Sequence, residues 1–194
     1  MSCSWSIDVS HTGKQCNQPM GLQNGRLRNT QMTASSQWNK YHAPFLGRLH
    51  RARHGKYVGA WCARSNNRYQ YLQMDFKRPV KIIKVSTQGR QDVSQWVTQY
   101  YIKHSVNAIN FVEYKERNSR KYFTGNRDRN TVVTNPFNPA IRGRYIRVCP
   151  WGWYRHISMR VEFYGCFTGE HFADRTFNKS TTIFHGLYSY RPWK

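Results

Sequence analysis

The chain has 194 residues, enough for one domain with a sizeable hydrophobic core but short for two. Its 31 Lys and Arg against 9 Asp and Glu give a formal net charge of +22, which implies polyanionic partners such as nucleic acid, sulfated glycan or anionic lipid. It has no run of about 20 apolar residues, so we expect no transmembrane segment.

The first 15 residues are predicted to form an N-terminal extension. They contain no apolar stretch that would serve as the core of a signal peptide. The whole chain has 5 cysteines, and the sequence alone does not assign their pairing. Because that number is odd, at least one thiol is left over.

A cationic and aromatic stretch follows from Gln37 to Cys62. It combines Trp, Tyr and Phe with Lys, Arg and His, and it contains no carboxylate. Acidic residues are absent from the whole interval between Asp8 and Asp75. Such a stretch on a protein surface is typical of a site for an anionic ligand, because aromatic rings add apolar contact to the attraction between charges.

Short β-strands are predicted over most of the remaining chain. The segments are rich in β-branched and aromatic residues, partly alternate apolar with polar residues, and are separated by Gly, Pro, Asn or Asp. They are YQYLQMDF (Tyr69 to Phe76), VKIIKVSTQG (Val80 to Gly89), QWVTQYYIKHS (Gln95 to Ser105), NFVEYKE, TVVTN, RYIRVCP and ISMRVEFYGC. No segment carries a sustained helical stripe, so an antiparallel sandwich or barrel is predicted. From Phe167 the strand pattern is lost, and residues 167–194 are predicted to be a C-terminal tail or linker.

Several motifs between Cys16 and Cys166 occur in a fixed order along the chain. They are CNQPMGLQNGRLRNTQMTASSQW, GRL, AWCARSNNRYQYLQMDF, VSTQGRQDVSQWVTQYYIKHS, FTGNRDRNTVVTNPFNPAIRGRYIRVCPWGW and HISMRVEFYGC. In sequence, order and spacing this set resembles the discoidin domain, also called the coagulation factor V/VIII C-type domain. An ordered set of this length is far more specific than any single short pattern.

The resemblance implies an all-β fold over residues 16–166, an eight-stranded antiparallel jelly-roll sandwich or distorted barrel. It also implies a disulfide between Cys16 and Cys166, which argues for an oxidising compartment. We therefore expect an extracellular or cell-surface location, as a module of a secreted protein. Cys62 is expected to be a buried free thiol, with a bridge to Cys149 as the alternative.

The resemblance further implies that ligands bind to loops projecting from one end of the fold. The candidate ligand-binding residues are Trp38, Asn39, Lys40, Tyr41 and His42 in a first loop, Arg51, Arg53, His54, Lys56 and Tyr57 in a second, and Arg90 and Asp92 in a third, Gln88 to Gln95. NPFNP (Asn135 to Pro139) is a candidate fourth loop, because proline cannot continue a strand ladder. The histidines in or beside the first two loops predict that anion binding strengthens as the pH falls from about 7.5 to about 5.5.

Other charged and aromatic residues are assigned to the framework. Matches to framework positions of the family lead us to expect buried or half-buried ion pairs for Arg48, Asp75, Arg147 and Arg160. Trp96 begins a predicted strand, so we expect it to pack beneath the third loop rather than to contact ligand.

The sequence does not support catalysis. It contains no G-x-S-x-G, no phosphate-binding Gly-rich loop before a helix and no H-E-x-x-H. Glu113 and Glu116 fit a strand and a turn better than a catalytic pair. His50 and His54 are a weak zinc signal without a helix to present them, and Asp92 as the only acid in the loops argues against a strong calcium site. We predict no catalytic residue, no metal and no cofactor.

The sequence therefore predicts a non-catalytic extracellular binding or adhesion module. The expected partner is an anionic phospholipid surface or a cell-surface glycan. Recognition of a matrix protein or receptor is an alternative, since the family includes such binders. An intracellular nucleic-acid binder is a more distant alternative, suggested by a pI near 10.3 and by aromatics among the cations. The implied disulfide and the lack of a nucleic-acid-binding motif argue against it.

Overall fold

The computed structural model describes residues 15–168. Residues 1–14, which include Cys3 and most of the predicted N-terminal extension, lie outside the described residues. The predicted C-terminal tail lies outside them from residue 169 onward. The strands are β1 (Gln18–Pro19), β2 (Met32–Ala34), β3 (Trp61–Cys62), β4 (Leu72–Gln88), β5 (Trp96–Ser105), β6 (Val112–Glu113), β7 (Lys115–Glu116), β8 (Ser119–Arg120), β9 (Tyr122–Thr124), β10 (Val133–Tyr154) and β11 (Ser158–Phe167). Short 3-10 helices span Asn29–Gln31, Lys40–His42 and Pro44–Leu46.

One antiparallel sheet contains most of the strands. Its order is β1-β11-β4-β10-β5-β6, with β2 added to β4, β3 to β11 and β9 to β5, while β7 and β8 form a separate hairpin. The predicted all-β jelly-roll architecture is confirmed. The eight predicted strands become eleven because several two-residue strands add to the long ones, and the sheet does not close into a barrel within residues 15–168.

The long strands bend without leaving their ladders. The two predicted strands at Tyr69 to Phe76 and Val80 to Gly89 form the single strand β4. Lys77 has φ of 66°, and opposite it the register of β10 shifts between Gly143 and Tyr145. An irregularity of this kind turns a strand while the flanking hydrogen bonds continue, so one strand serves two predicted segments.

The predicted fourth loop, NPFNP, lies inside β10 and does not project. The register between β10 and β4 shifts between Pro136 and Ile141, which accommodates the missing proline N–H groups. Phe137 is 5% exposed and packs edge-on against Tyr114 and Phe123, with centroids 5.2 and 5.4 Å away. Burial of this ring holds the segment against the core.

The core is built from alternate residues of the long strands. On β5, Tyr100 and Ile102 are fully buried, and on β10 the same holds for Ile146 and Val148. Trp61 of β3 is also fully buried, and its indole N–H donates to the Ser36 carbonyl at 2.9 Å. The intervening residues of β5 and β10 therefore face away from the core.

No helix within the described range has the length and apolarity needed to cross a bilayer.

The cysteines follow the prediction made for the domain ends. Cys16 and Cys166 are joined by a disulfide across 150 residues. Cys62 and Cys149 are both free and buried, so the alternative bridge between them is wrong. Burial raises the pKa of Cys62 to about 11 and that of Cys149 to about 12, so both remain protonated thiols.

The expected framework ion pairs are present at Asp75 only. Its carboxylate binds Arg144 at 2.8 and 3.0 Å and Lys77 at 2.8 Å. Within residues 15–168, the guanidinium groups of Arg48, Arg147 and Arg160 bind carbonyl or amide oxygens instead of carboxylates. The prediction was wrong for these arginines because few acids reach the interior, whereas backbone carbonyls of the loops are abundant there.

Candidate functional site

The three predicted loops meet at one end of the sheet, which we call the loop end (residues 38–42, 51–57 and 88–95). The Val58 N–H donates to the Tyr41 carbonyl at 3.1 Å, which joins the first loop to the second. The Gln91 N–H donates to the Gly59 carbonyl at 3.2 Å, and the Gln91 amide oxygen accepts from the Arg53 N–H, also at 3.2 Å. Residues far apart in sequence therefore form one continuous surface.

The first loop exposes an indole above a short 3-10 helix. Asn39 caps that helix, since its side-chain oxygen accepts from the Tyr41 N–H at 2.9 Å and from His42 Nδ1 at 2.7 Å. The cap fixes the direction in which the loop leaves the sheet. Trp38 is 58% exposed, and its ring meets His156 edge-on at 5.6 Å. Lys40 is exposed and lies over the Tyr41 ring at 5.3 Å.

The second loop is a tight hairpin that holds cations in solvent. His54 and Tyr57 exchange backbone hydrogen bonds of 2.9 and 3.0 Å. Gly55 has φ of 55°, a conformation that favours glycine. Arg53, His54 and Lys56 are exposed. The Tyr57 ring packs against Tyr41 at 5.7 Å, so it supports the first loop while remaining 42% exposed.

The third loop contains an ion pair, which we call the brace, between Arg90 and Asp92. This pair leaves little unpaired charge in the loop. Arg90 binds both oxygens of Asp92 at 2.9 Å, and the Gly59 N–H donates to the same carboxylate at 3.2 Å. The Arg90 and Asp92 side chains are only 12% and 9% exposed. Burial alone would raise the pKa of Asp92, but the hydrogen bond from Arg90 helps to hold it below its usual range. The two predicted ligand residues thus neutralise each other and tie the third loop to the second.

A cleft of about 200 Å³ opens between the first and third loops. It is lined by Trp38, His42, Cys62, Arg90, Gln95 and His156. His156 was missed by the sequence reasoning, because it precedes β11 and reaches the cleft only through the fold. Its Nε2 donates to the Ala63 carbonyl at 2.8 Å, which orients the ring toward Trp38.

The chemistry of the cleft suits binding. Burial and the charge of Arg90 lower the pKa of His42, so this imidazole gains its proton at a lower pH than the sequence predicts. The Cys62 thiol is protonated and is a weak nucleophile. No group of three or more His, Cys, Asp or Glu positioned to hold a metal ion occurs among residues 15–168. What the cleft offers is an indole, an imidazole and N–H donors.

The structure divides the predicted ligand residues into two groups. Those half-buried or engaged in packing are Tyr41, His42, Arg51, Arg90 and Asp92. Those that face solvent are Trp38, Asn39, Lys40, Arg53, His54, Lys56 and Tyr57. Trp96, predicted to be structural, is half-buried and stacks on Tyr154 with centroids 4.3 Å apart. The exposed group is the one available to a ligand.

Comparison with known proteins supports the fold. The model of the family described as F5/8 type C domain matches residues 31–163. Lactadherin of Rattus norvegicus is 35% identical over 159 residues, which cover 78% of this chain and 36% of lactadherin. Coagulation factor V of Sus scrofa is 38% identical over 159 residues, which cover 78% of this chain and 7% of factor V. The chain therefore spans only a minor part of these relatives.

Solved structures with the same fold include discoidin II from Dictyostelium discoideum. It has a TM-score of 0.64 and 29% identity, and the match covers 69% of this chain and 53% of that chain. A second example is the module CBM32-1 from a family 31 glycoside hydrolase of Clostridium perfringens, with a TM-score of 0.51 and 15% identity. That match covers 98% of the module and shows the fold alone.

Proposed function

Because the chain belongs to the F5/8 type C domain family, we propose that it is a non-catalytic binding and adhesion module that recognises anionic ligands of cell surfaces through its loop end. The ligand groups are phospholipid headgroups or the acidic groups of glycans. The observation that carries this proposal is the exposure of Lys40, Arg53 and Lys56 beside Trp38 on one surface. On this surface, cations and an open aromatic ring would meet a ligand together.

The magnitudes are sufficient for useful affinity. Each Lys or Arg close to an anionic bilayer contributes on the order of 1 kcal/mol. Full burial of a large apolar side chain contributes about 1.5–3 kcal/mol. Asp92 does not oppose an anion, because Arg90 already neutralises it. The exposed cations and Trp38 thus supply several kcal/mol before the cost of ordering the side chains is subtracted.

An extracellular or cell-surface location is part of the proposal. The disulfide between Cys16 and Cys166 supports it, since such bonds persist in oxidising compartments. The same bond argues against the intracellular nucleic-acid binder. A matrix protein or receptor as the partner remains the alternative, to be tested at the same loop end.

The test separates apolar from ionic contributions. Trp38→Ala is expected to weaken binding to vesicles containing phosphatidylserine by about tenfold at both low and high salt, because apolar burial is barely screened. Arg53→Ser combined with Lys56→Ser is expected to weaken binding mainly at low salt. Binding is measured by vesicle co-sedimentation and by titration with carboxylated glycans that carry no sulfate, both at several salt concentrations.

Matched controls lie away from the loop end. Ile109→Ala removes an apolar side chain that is 80% exposed beyond the far end of β5. Lys115→Ser with Arg142→Ser removes two exposed charges. If both loop variants bind vesicles and glycans as the wild type does, the loop end is not the site. If the control variants lose as much binding, only overall charge and apolarity matter.

A further inference from the structure

A groove on the outer face of the sheet is separate from the loop end. On β5, Tyr101 and Lys103 alternate with core residues and so face outward. Trp151 of β10 meets Tyr101 edge-on at 6.1 Å, which places it on the same face. The groove has a volume of about 550 Å³. Tyr101 lies five residues, or about 17 Å of strand, beyond the start of β5 next to the third loop.

The groove carries excess positive charge. Among its lining residues, Glu113 is the only acid, and Arg120 binds both its oxygens at 2.6 Å. Lys103 lies 3.7 Å from the same carboxylate and therefore shares it. Within residues 15–168, Arg68 pairs with no carboxylate, and its Nε donates to the Trp151 carbonyl at 3.4 Å. The groove thus holds three cations and one carboxylate, which only Arg120 and Lys103 approach.

Aromatic rings hold these cations in place. The guanidinium of Arg68 stacks over the Trp151 ring at 4.1 Å, and that of Arg120 lies over Tyr101 at 4.8 Å. In an adjoining recess, Arg147 lies between Phe111 and Tyr71, at 3.5 and 4.0 Å from their centroids. A guanidinium stacked on a ring keeps its in-plane N–H groups free for an anion. Because its side chain is already ordered, less entropy is lost when a ligand binds.

The stacking also limits what the groove can bind. Arg68 covers one face of the Trp151 ring, so that face is closed to a nucleic-acid base. Tyr69 is 86% exposed and leaves one open ring at the edge. A flat bilayer does not enter a groove whose floor, Tyr101, is only 7% exposed. A single chain that carries sulfate groups fits both the shape and the charge.

We propose that this groove is a second binding site, lined by Arg68, Tyr69, Tyr101, Lys103, Arg120 and Trp151, and that it takes a sulfated glycan chain. The sulfates accept hydrogen bonds from the Arg68 guanidinium and from Lys103, because the Arg120 nitrogens already donate to Glu113 and Tyr122. A sugar ring packs on Tyr69. The site goes beyond the function proposed for the loop end, and it allows one molecule to contact a surface and a glycan chain together.

The probe for the experiment is a fluorescent dodecasaccharide derived from heparin, used with the full chain. Arg68→Gln combined with Lys103→Gln is expected to weaken its binding by about tenfold, because two charge-assisted contacts are lost. The loop variant Arg53→Ser with Lys56→Ser removes the same charge and is expected to keep most of the affinity. Vesicle binding should show the opposite pattern, so failure at the groove and failure at the loop end can be told apart.

A second variant tests whether the ring-held geometry matters. Arg68→Lys keeps the charge and loses the planar fork, and it is expected to weaken dodecasaccharide binding severalfold while leaving the thermal midpoint unchanged. It also serves as the test if the double variant does not fold.

Other outcomes would overturn the proposal. Equal losses in the groove and loop variants would indicate an effect of net charge. Loss in the loop variant alone would assign the glycan to the loop end. Unchanged binding in both groove variants, equal binding of the desulfated oligosaccharide, or tighter groove-dependent binding of single-stranded oligothymidylate would each contradict a site for sulfated glycan.

Discussion

Buried arginines organise the loop end through backbone carbonyls. Arg160 is 2% exposed, and its guanidinium donates to the carbonyls of Gly89, Arg51 and Arg129 at 2.7–2.9 Å. These carbonyls lie in the second loop, the third loop and the segment after β9. At those positions no regular strand within residues 15–168 donates a hydrogen bond to them. Burial lowers the pKa of Arg160 to about 10, so the group stays charged at neutral pH. One side chain thus satisfies several loop carbonyls at once.

The acid stability of the protein is expected to depend on Asp75. Burial alone would raise its pKa, but hydrogen bonds from Arg144 and Lys77 outweigh burial and lower the pKa to about 2. A carboxyl whose folded pKa lies below its ordinary value near 3.8 contributes stability that is present above that value. This stability is lost as the pH falls toward about 2.

Replacing Asp75 with Asn should therefore lower the free energy of unfolding by about 1–2 kcal/mol at neutral pH. The loss is limited to this range because solvent screens the partly exposed charges of Arg144 and Lys77. The variant should also show a flatter dependence of stability on pH between about 4 and 2. Urea unfolding followed at several pH values measures both effects. An Asn variant that loses stability as steeply as the wild type across this window would show that other carboxyls dominate.

The loops act as one unit because short contacts connect them. Tyr57 of the second loop packs on Tyr41 of the first, and Asp92 of the third accepts from the Gly59 N–H. Sequence reasoning assigned Arg90 and Asp92 to ligand contact, and the structure gives them a bracing role as well. Motion of one loop is therefore coupled to the others, while the exposed side chains stay free to meet a ligand.

Removing the brace should cost stability in a non-additive way. Asp92→Ala leaves the half-buried Arg90 without its carboxylate and the Gly59 N–H without its acceptor, which we expect to cost about 2 kcal/mol. The double variant Arg90→Ala with Asp92→Ala should cost less than the sum of the two single changes. Denaturant unfolding of the complete double-mutant cycle measures the coupling.

Asp128→Ala is the matched control for this cycle. Its exposed carboxylate accepts from the N–H groups of Asn130 and Thr131 at 2.7 Å, and it pairs with no arginine within residues 15–168. We expect it to cost about 1 kcal/mol or less. Additive effects of Arg90→Ala and Asp92→Ala would mean that the two residues stabilise the loop end independently.

The domain ends are joined by one covalent bond. Because Cys16 and Cys166 are 150 residues apart, their bridge removes much of the freedom of the unfolded chain. Reduction, or replacement of both cysteines by Ala, should lower the free energy of unfolding by about 3–5 kcal/mol. The effect is measured by denaturant unfolding with and without reductant.

The free thiols provide the control for the disulfide. Cys62→Ala with Cys149→Ala removes two buried thiols, so it should lower stability modestly but keep the full response to reductant. Peptide mapping without reduction identifies the bonded pair directly. A wild-type protein that unfolds at the same denaturant concentration with and without reductant would contradict a stabilising bridge.

The ordered motifs of the sequence resemble a family, and that resemblance implied the fold class and the bond between Cys16 and Cys166. The sequence by itself determined the predicted strands and the cationic stretch of the loop end. These follow from local pattern and ordered motifs: Tyr100 and Ile102 alternate with outward residues on β5, and the cationic stretch from Gln37 to Cys62 contains no acid. Sequence reasoning also placed Trp38 among the candidate ligand contacts, and this side chain is 58% exposed. Such features depend on neighbours in the chain, so they can be predicted without knowing which distant segments meet.

Only the tertiary structure decided which charges are free. Arg90 and Asp92 were themselves candidate ligand contacts, yet they neutralise each other across a half-buried turn. His156 joins the cleft, and Arg68 comes to lie over Trp151 on the outer face of the sheet, only because strands distant in sequence pair there. The energy of a charge depends on its distance to partners and on its burial. Both are fixed by long-range packing, which composition and local pattern do not contain.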